Sequence, residues 1–153
     1  GLNREEISAI RICSIFHDIG KLYINPYILN KPSKLTDKEY NIIKDHVKYS
    51  EELLALNGYP EYSKIVLYHH EKIDGSGYYG LKGNEIPLIS KIIGLADVYD
   101  ALRSNRAYRK AKTKEEALEI IDQEKHKYDK QILDIFFKLY GNKNQKTTIE
   151  RNN

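Results

Sequence analysis

Several features that define common protein classes are scarce or absent in this 153-residue sequence. Its one cysteine, Cys13, excludes an intramolecular disulfide and favours a reducing, cytoplasmic compartment. No apolar run approaches the roughly 20 residues that a membrane-spanning helix needs, and no signal-peptide pattern opens the chain. The formal net charge of +3 is too small to indicate a nucleic-acid polymer as a partner. We therefore expect a cytoplasmic protein with neither a membrane segment nor a bound nucleic-acid polymer.

The composition is that of one globular domain. Charged residues make up 31% of the chain and apolar residues 41%, and the length suffices for a single core. We expect the domain to occupy residues 1–141 and the polar run 142–153 to be a frayed tail. Methionine is absent, and a helix signal follows Gly1 almost at once. These two features suggest a fragment whose upstream segment is missing.

Helix start signals recur along the chain, whereas no segment has a convincing strand pattern. Several of them are capping boxes, in which a polar cap is followed three residues later by a glutamate. We expect the second helix to run unbroken to about residue 57, and residues 22–35 to form a loop. The predicted class is all-α, a helical bundle of about six helices. Their caps or first-turn residues are Asn3, Thr36, Pro60, Pro87, Thr113 and Asp129.

Residues that bind metals recur at spacings that indicate one site. Four of the five histidines belong to this set, and two aspartates accompany them. Imidazoles together with a carboxylate that can bridge two ions suit a cluster of transition metals that holds and splits a phosphate ester. The candidate metal ligands are His17, Asp18, His46, His69, His70 and Asp97.

Each of these residues alone also has a purely structural interpretation. The dipeptide His17-Asp18 could be a surface pair at a helix end, where a histidine favours the helix dipole. His46 could be a hydrogen-bonded core histidine, and the dipeptide His69-His70 could face water. Asp97, inside an apolar helix, could form a salt bridge with an arginine. One shared cluster explains all six residues better than independent explanations do.

Two basic features accompany this set. Lys21 follows the His17-Asp18 turn; it is either a cation at a helix C-terminus or a group that neutralises or protonates a reacting phosphate oxygen. The segment 103–112 contains five cations and no acid, with Arg106 and Arg109 among them. It is either a solvated loop or, since arginine geometry suits phosphate, a contact for an anionic ligand.

These residues, in this order, resemble the HD-GYP family, the branch of the HD phosphohydrolase superfamily that hydrolyses the bacterial second messenger cyclic di-GMP. The resemblance spans residues 1 to about 140 and implies an HD-domain helical bundle. The matching positions are 17–21 (HDIGK), Lys31-Pro32, 34–36 (KLT), His46, 69–71 (HHE), 74–78 (DGSGY), 81–83 (LKG), Ile86-Pro87, Ala96-Asp97, Asp100-Ala101, Arg106, Tyr108 and Arg109.

The resemblance also implies roles for individual residues. It assigns one divalent metal to His17, Asp18 and Asp97, and a second metal to His46, His69 and His70, with Asp18 bridging the two. Iron or manganese is the usual metal in relatives. Asp18 and Lys21 would be catalytic, and cyclic di-GMP would be opened to linear pGpG and then, with a second cleavage, to GMP. The substrate contacts would be Lys21, Gly77, Tyr78, Arg106 and Arg109.

Three departures from the family pattern leave questions open. Tyr79 stands where the family has proline, which we expect to loosen the loop. Lys91 stands where relatives often carry arginine, and Val47 and Ser50 replace the usual proline and glycine after His46. Relatives have a further helix upstream that supplies another ligand, so the count of metals, two or three, stays open.

Alternatives to the main function also remain. They are an HD phosphohydrolase acting on another cyclic dinucleotide or nucleotide, and a non-catalytic signalling module that binds a nucleotide or a partner protein. We also expect an upstream sensory or receiver domain in the parent chain. The sequence leaves the oligomeric state open.

Overall fold

The computed structural model describes residues 1–105 and 110–141, which form helices joined by turns. Within these residues the predicted all-α class is confirmed, since the one β-type contact is an isolated bridge between Asp74 and Lys82. None of the described helices is long and apolar enough to cross a membrane. The α-helices are α1 (Arg4–Phe16), α2 (Pro26–Leu29), α3 (Asp37–Lys44), α4 (His46–Leu56), α5 (Pro60–Leu67), α6 (Leu88–Arg103), α7 (Lys114–Gln123) and α8 (Lys130–Tyr140). Three 3-10 turns span Ile19–Tyr23, Gly83–Glu85 and Lys125–Lys127.

Local capping chemistry sets where several helices begin. At α1, the side chain of Asn3 accepts the Glu6 backbone N–H at 2.9 Å, and the Glu6 carboxylate accepts the Asn3 N–H at 2.8 Å. The same reciprocal pair opens α3 and α7, and an aspartate side chain caps α8. The predicted helix starts are therefore confirmed at these four positions.

The predicted second helix is wrong in one respect, because it is broken at Asp45 into α3 and α4. The Nδ1 atom of His46 lies 2.6 Å from the carbonyl oxygen of Ile43. In a continuous helix that carbonyl would accept the backbone N–H of Val47. A side chain thus takes the place of a backbone partner at the break.

The segment 22–35, predicted as a loop, is more ordered than expected. It contains the end of the 3-10 turn Ile19–Tyr23 and the single-turn helix α2. Asn25 caps α2 by accepting the Tyr27 N–H at 2.9 Å, and Pro26 occupies the first helical position, where a missing N–H costs nothing. Proline here starts a helix rather than marking a loop.

The core has two separate clusters of buried side chains. The first joins α1, α4, α5 and α6 through Ala9, Cys13, Leu54, Val66, Ile89 and Ile93. The second joins the end of α6 to α7 and α8 through Leu95, Leu118, Ile121, Tyr128, Leu133 and Phe136. Helix α4 packs along α5 and against the 3-10 turn Ile19–Tyr23, while α1 and α6 pack on each other. The first cluster therefore supports the ends of the elements that carry the candidate metal ligands.

Candidate metal centre

The six candidate ligands form two groups that share one carboxylate. The three-histidine group consists of Asp18, His46, His69 and His70, and the two-aspartate group consists of His17, Asp18 and Asp97. Within each group every residue offers one ligand atom, and these atoms all lie within 4.8 Å of one another. Ligands at about 2.0 to 2.5 Å from a common ion have separations of this size. Each group thus has the dimensions of a metal site.

Three polar atoms at the centre of the three-histidine group are buried and lack hydrogen-bond partners among the described residues. They are Asp18 Oδ1, His46 Nε2 and His69 Nε2. The Asp18 oxygen lies 3.1 Å from His46 Nε2 and 4.0 Å from His69 Nε2, but neither contact has hydrogen-bond geometry. Buried atoms without partners are costly, and a cation among them would satisfy all three.

The imidazoles are oriented by bonds from their other ring nitrogen. His17 Nδ1 lies 2.9 Å from the Ser14 carbonyl oxygen, His46 Nδ1 2.6 Å from that of Ile43, and His69 Nδ1 2.6 Å from that of Val66. Each acceptor is three residues earlier, at a point where a helix ends or breaks. When Nδ1 carries the proton, Nε2 is left with the lone pair that binds metals.

The two groups differ in burial and in the pKa values of their histidines. His46 and His69 are 1% and 0% exposed, and burial lowers the pKa of His69 to about 4. Burial, helped by the neighbouring His69, also lowers the pKa of His70. His17 is different: burial would lower its pKa, but the nearby carboxylates of Asp97 and Asp18 outweigh burial and raise it.

The environment lowers the pKa of both aspartates and so favours their ionised forms. Burial would raise the pKa of Asp18, but contacts with His46 and Lys21 lower it overall. The pKa of Asp97 is likewise lowered, because the nearby His17 and His70 outweigh burial. Asp97 Oδ1 lies 3.9 Å from His17 Nε2, so it is an ion-pair neighbour of a histidine, and the alternative of a buried salt bridge to an arginine has no support among the described residues.

Two unpredicted contacts fix the His17-Asp18 segment against α4. Ser50 is fully buried; its hydroxyl accepts the Gly20 N–H at 2.9 Å and donates to the His17 carbonyl at 2.9 Å. A Cβ on Gly20 would lie 2.1 Å from the His46 carbonyl oxygen, so glycine is required for this close approach. In the sequence, Ser50 stood out only as a departure from the family pattern, and its role in these contacts was not predicted.

The loop that carries Gly77 and Tyr78 is held by a buried carboxylate. Glu71 is 4% exposed and accepts the backbone N–H of Tyr79 at 2.7 Å and that of Leu81 at 2.8 Å. Gly77 lies so close that an added Cβ would be 2.5 Å from Glu71 Cα. The Tyr78 ring stands over His70 with ring centroids 4.6 Å apart. Tyr79 was expected to loosen this loop, but its backbone N–H donates to Glu71, a bond that a proline could not form.

The predicted basic residues are only partly accounted for. Lys21 Nζ forms an ion pair with Asp18 Oδ2, so its ammonium lies beside the carboxylate shared by the two groups. Arg106 and Arg109 lie outside the described residues. The same holds for the predicted tail 142–153.

Comparison with known proteins assigns the chain to a protein family. The HD domain family model matches residues 1–132. The chain is 43% identical over 122 residues to a cyclic di-GMP phosphodiesterase response regulator of Xanthomonas campestris, covering 77% of this chain and 32% of that protein. It is 40% identical to the 3′3′-cGAMP-specific phosphodiesterase 3 of Vibrio cholerae, covering 76% of this chain and 26% of that protein.

A third relative covers more of the chain. Identity to a cyclic di-GMP phosphodiesterase of Thermotoga maritima is 38%, over 91% of this chain and 39% of that protein. The chain therefore spans between a quarter and two fifths of the length of these relatives. The family expected from the motifs is confirmed, and the chain belongs to the HD domain family.

Proposed function

We propose that residues 1–141 are the catalytic domain of a metal-dependent phosphodiesterase that hydrolyses cyclic di-GMP to linear pGpG and, by a second cleavage, to GMP. The observation that carries the proposal is the convergence of Asp18 Oδ1, His46 Nε2 and His69 Nε2, three buried atoms without partners among the described residues. The names of the relatives support the substrate class, since they act on cyclic di-GMP or 3′3′-cGAMP. The parent protein would couple this domain to an upstream sensory or receiver domain.

The donor set fits divalent transition metals. His46, His69 and His70 would hold one ion and His17 with Asp97 another, with the carboxylate of Asp18 bridging both. Neutral imidazoles with carboxylates suit iron, manganese or zinc, and iron or manganese is our proposal. A third ion would need ligands beyond these six. Bound metals would polarise the phosphate and lower the pKa of a water nucleophile.

The remaining catalytic work falls to side chains of this chain. Lys21 Nζ forms an ion pair with Asp18 Oδ2. A substrate phosphate bound next to Asp18 would therefore have this ammonium within reach. The ammonium would neutralise the charge that develops on the phosphate and protonate the leaving oxygen. Tyr78, over His70, and Gly77 would line the substrate cleft. We assign Arg106 and Arg109 to the substrate phosphates because guanidinium geometry suits them.

A second candidate substrate is 3′3′-cGAMP. It is favoured by the relative of that specificity, whose identity to this chain, 40%, is close to the 43% of the cyclic di-GMP relative. The non-catalytic alternative would require a binding domain that retains all six candidate metal ligands although it catalyses no reaction.

The test combines metal analysis with product analysis. The chain would be purified, loaded with Fe²⁺ or Mn²⁺, and incubated separately with cyclic di-GMP, 3′3′-cGAMP and a nucleotide phosphomonoester, with products separated by chromatography. We expect bound metal and linear products from a cyclic dinucleotide. His46→Gln should lose both metal and activity. His126→Gln is the matched control, because His126 is 63% exposed and lies outside both groups.

The outcomes separate the alternatives. Metal-loaded protein that binds a cyclic dinucleotide without cleaving it would indicate a signalling module. Cleavage of the phosphomonoester alone would indicate a different HD phosphohydrolase. Equal metal content in His46→Gln and His126→Gln would contradict the assigned metal centre.

A further inference from the structure

Two side chains near the three-histidine group, Tyr40 and Lys44, have no role in the proposed chemistry, and both contact Tyr78, which we placed in the substrate cleft. Tyr40 and Lys44 are one turn apart on α3, and Tyr78 comes from the loop after His70. The rings of Tyr40 and Tyr78 meet edge to face, with centroids 6.3 Å apart. Lys44 Nζ lies 5.1 Å from each ring centroid. One ammonium thus joins two aromatic side chains from separate segments.

The cluster of Tyr40, Lys44 and Tyr78 adjoins the metal centre. The Tyr78 ring centroid is 4.6 Å from that of His70 and 6.4 Å from that of His46. A molecule whose phosphate occupied the metal centre would therefore lie next to Tyr78, and Tyr78 in turn contacts Tyr40 and Lys44.

The lysine is available to a ligand. Lys44 is half-buried and, among the described residues, has no carboxylate within 4.0 Å, whereas Lys31 and Lys48 are each paired with an acid. Contact with aromatic rings compensates the charge only partly and uses none of the three N–H donors for a hydrogen bond. Tyr40 is 45% exposed, so part of its ring is open to solvent. An exposed aromatic ring beside free donors suits a planar, acceptor-rich group.

We propose that Tyr40, Lys44 and Tyr78 form the subsite for one purine base of the substrate, and that Lys44 selects guanine. Aromatic rings stack on any base, so the tyrosines supply affinity. The edge of guanine presents the acceptors O6 and N7 to a lysine, while adenine presents an amino donor in place of O6. Both substrate names found among the relatives, cyclic di-GMP and 3′3′-cGAMP, contain guanine. The inference rests on the proposed function for the identity of the ligand.

The experiment measures kcat and KM for cyclic di-GMP, 3′3′-cGAMP and cyclic di-AMP, and the Kd of a phosphorothioate analogue of each. Lys44→Met should weaken binding of cyclic di-GMP by about tenfold or more and leave cyclic di-AMP nearly unchanged. Tyr40→Leu should weaken all three by a similar factor. Lys38→Met is the matched control, since Lys38 lies exposed on the same helix. Metal content, measured in parallel, should not change in any of these variants.

Each result has a separate meaning. If Lys44→Met weakens all three dinucleotides equally, Lys44 contacts a phosphate and guanine selection is overturned. If it weakens none, the subsite itself is overturned, while cleavage by the unmodified protein would still uphold the proposed function. If the protein cleaves nothing but its Kd values still depend on guanine through Lys44, the proposed function fails and the subsite stands.

Discussion

The two metal-ligand groups are built from the same residue types but in different surroundings. In the three-histidine group, His46 and His69 are buried, and burial lowers the pKa values of His69 and His70. In the two-aspartate group, His17 has 19% of its side chain exposed and two carboxylates raise its pKa. A buried neutral imidazole can bind a metal without first losing a proton. Because its pKa is raised, His17 is protonated more of the time, and it must then lose that proton before it binds a metal. We therefore expect the three-histidine group to bind a metal more tightly than the two-aspartate group at neutral and mildly acidic pH.

The largest effect is expected from a mutation that removes the carboxylate shared by the two groups. Asp18→Ala should lower metal binding in both groups and bring turnover below detection, because neither set of remaining ligands can replace a bridging oxygen. Lys21→Ala is the comparison: it should keep the metals and lose about 10²- to 10⁴-fold in kcat if Lys21 acts as the acid. Elemental analysis and initial rates would check both. Retained metal in Asp18→Ala would show that the groups are independent.

A smaller effect should come from the contact that holds the His17-Asp18 segment against α4, because this segment carries two ligands of the two-aspartate group and one of the three-histidine group. Ser50→Ala removes a buried hydroxyl that bonds both the Gly20 N–H and the His17 carbonyl. Leaving these groups unpaired should lower the free energy of unfolding by about 1 to 3 kcal/mol. Ser63→Ala is the matched control, because Ser63 is also buried but bonds only the nearby Pro60 carbonyl, and about 0.5 to 1.5 kcal/mol is expected.

Denaturant unfolding and metal titration would measure both serine variants. Ser50→Ala should also weaken metal binding at the two-aspartate group more than at the three-histidine group. If Ser50→Ala and Ser63→Ala behave alike in both measurements, Ser50 does not position the His17-Asp18 segment.

The sequence predicted what depends on local chemistry. Capping boxes such as that of Asn3 and Glu6 involve residues three apart, so helix starts follow from short patterns. The sequence did not predict the break at Asp45. The His46 side chain competes there with a backbone N–H for a carbonyl acceptor, and it does so only once the fold has buried this side chain in the core. The sequence also did not predict the roles of Ser50 and Glu71, because their hydrogen-bond partners lie up to 33 residues away along the chain. The convergence of the six candidate ligands was expected on motif order alone, and the distances came from the fold.

The loop beside the three-histidine group gives the next smaller effect. Tyr79→Pro removes the N–H that Glu71 accepts at 2.7 Å, and we expect a loss of about 1.5 kcal/mol in the free energy of unfolding, the lower end for a bond to a charged group. Tyr79→Phe keeps the N–H and should lose less. KM should rise in the proline variant if the loop carries Tyr78 to the substrate. A proline variant as stable as the phenylalanine variant would show that the family's proline and this tyrosine hold the loop equally well.

The last comparison concerns the pH dependence of the metal-free protein. The pKa of His69 is lowered from 6.5 to about 4, so the unfolded chain binds more protons between these values, and stability present above pH 6.5 is lost as the pH falls towards 4. The lowered pKa of His70 acts in the same direction. The raised pKa of His17 acts in the opposite direction, since its contribution is present below pH 6.5 and is lost as the pH rises through the folded pKa. The melting temperature measured with a chelator should therefore fall between pH 7 and pH 5, by about 2 to 4 °C for each kcal/mol lost. His17→Gln should make the fall steeper by removing the opposing contribution, and the exposed His126→Gln should leave it unchanged. A fall of the same slope in all three proteins would mean that the two groups do not differ in the way that their burial and charges indicate.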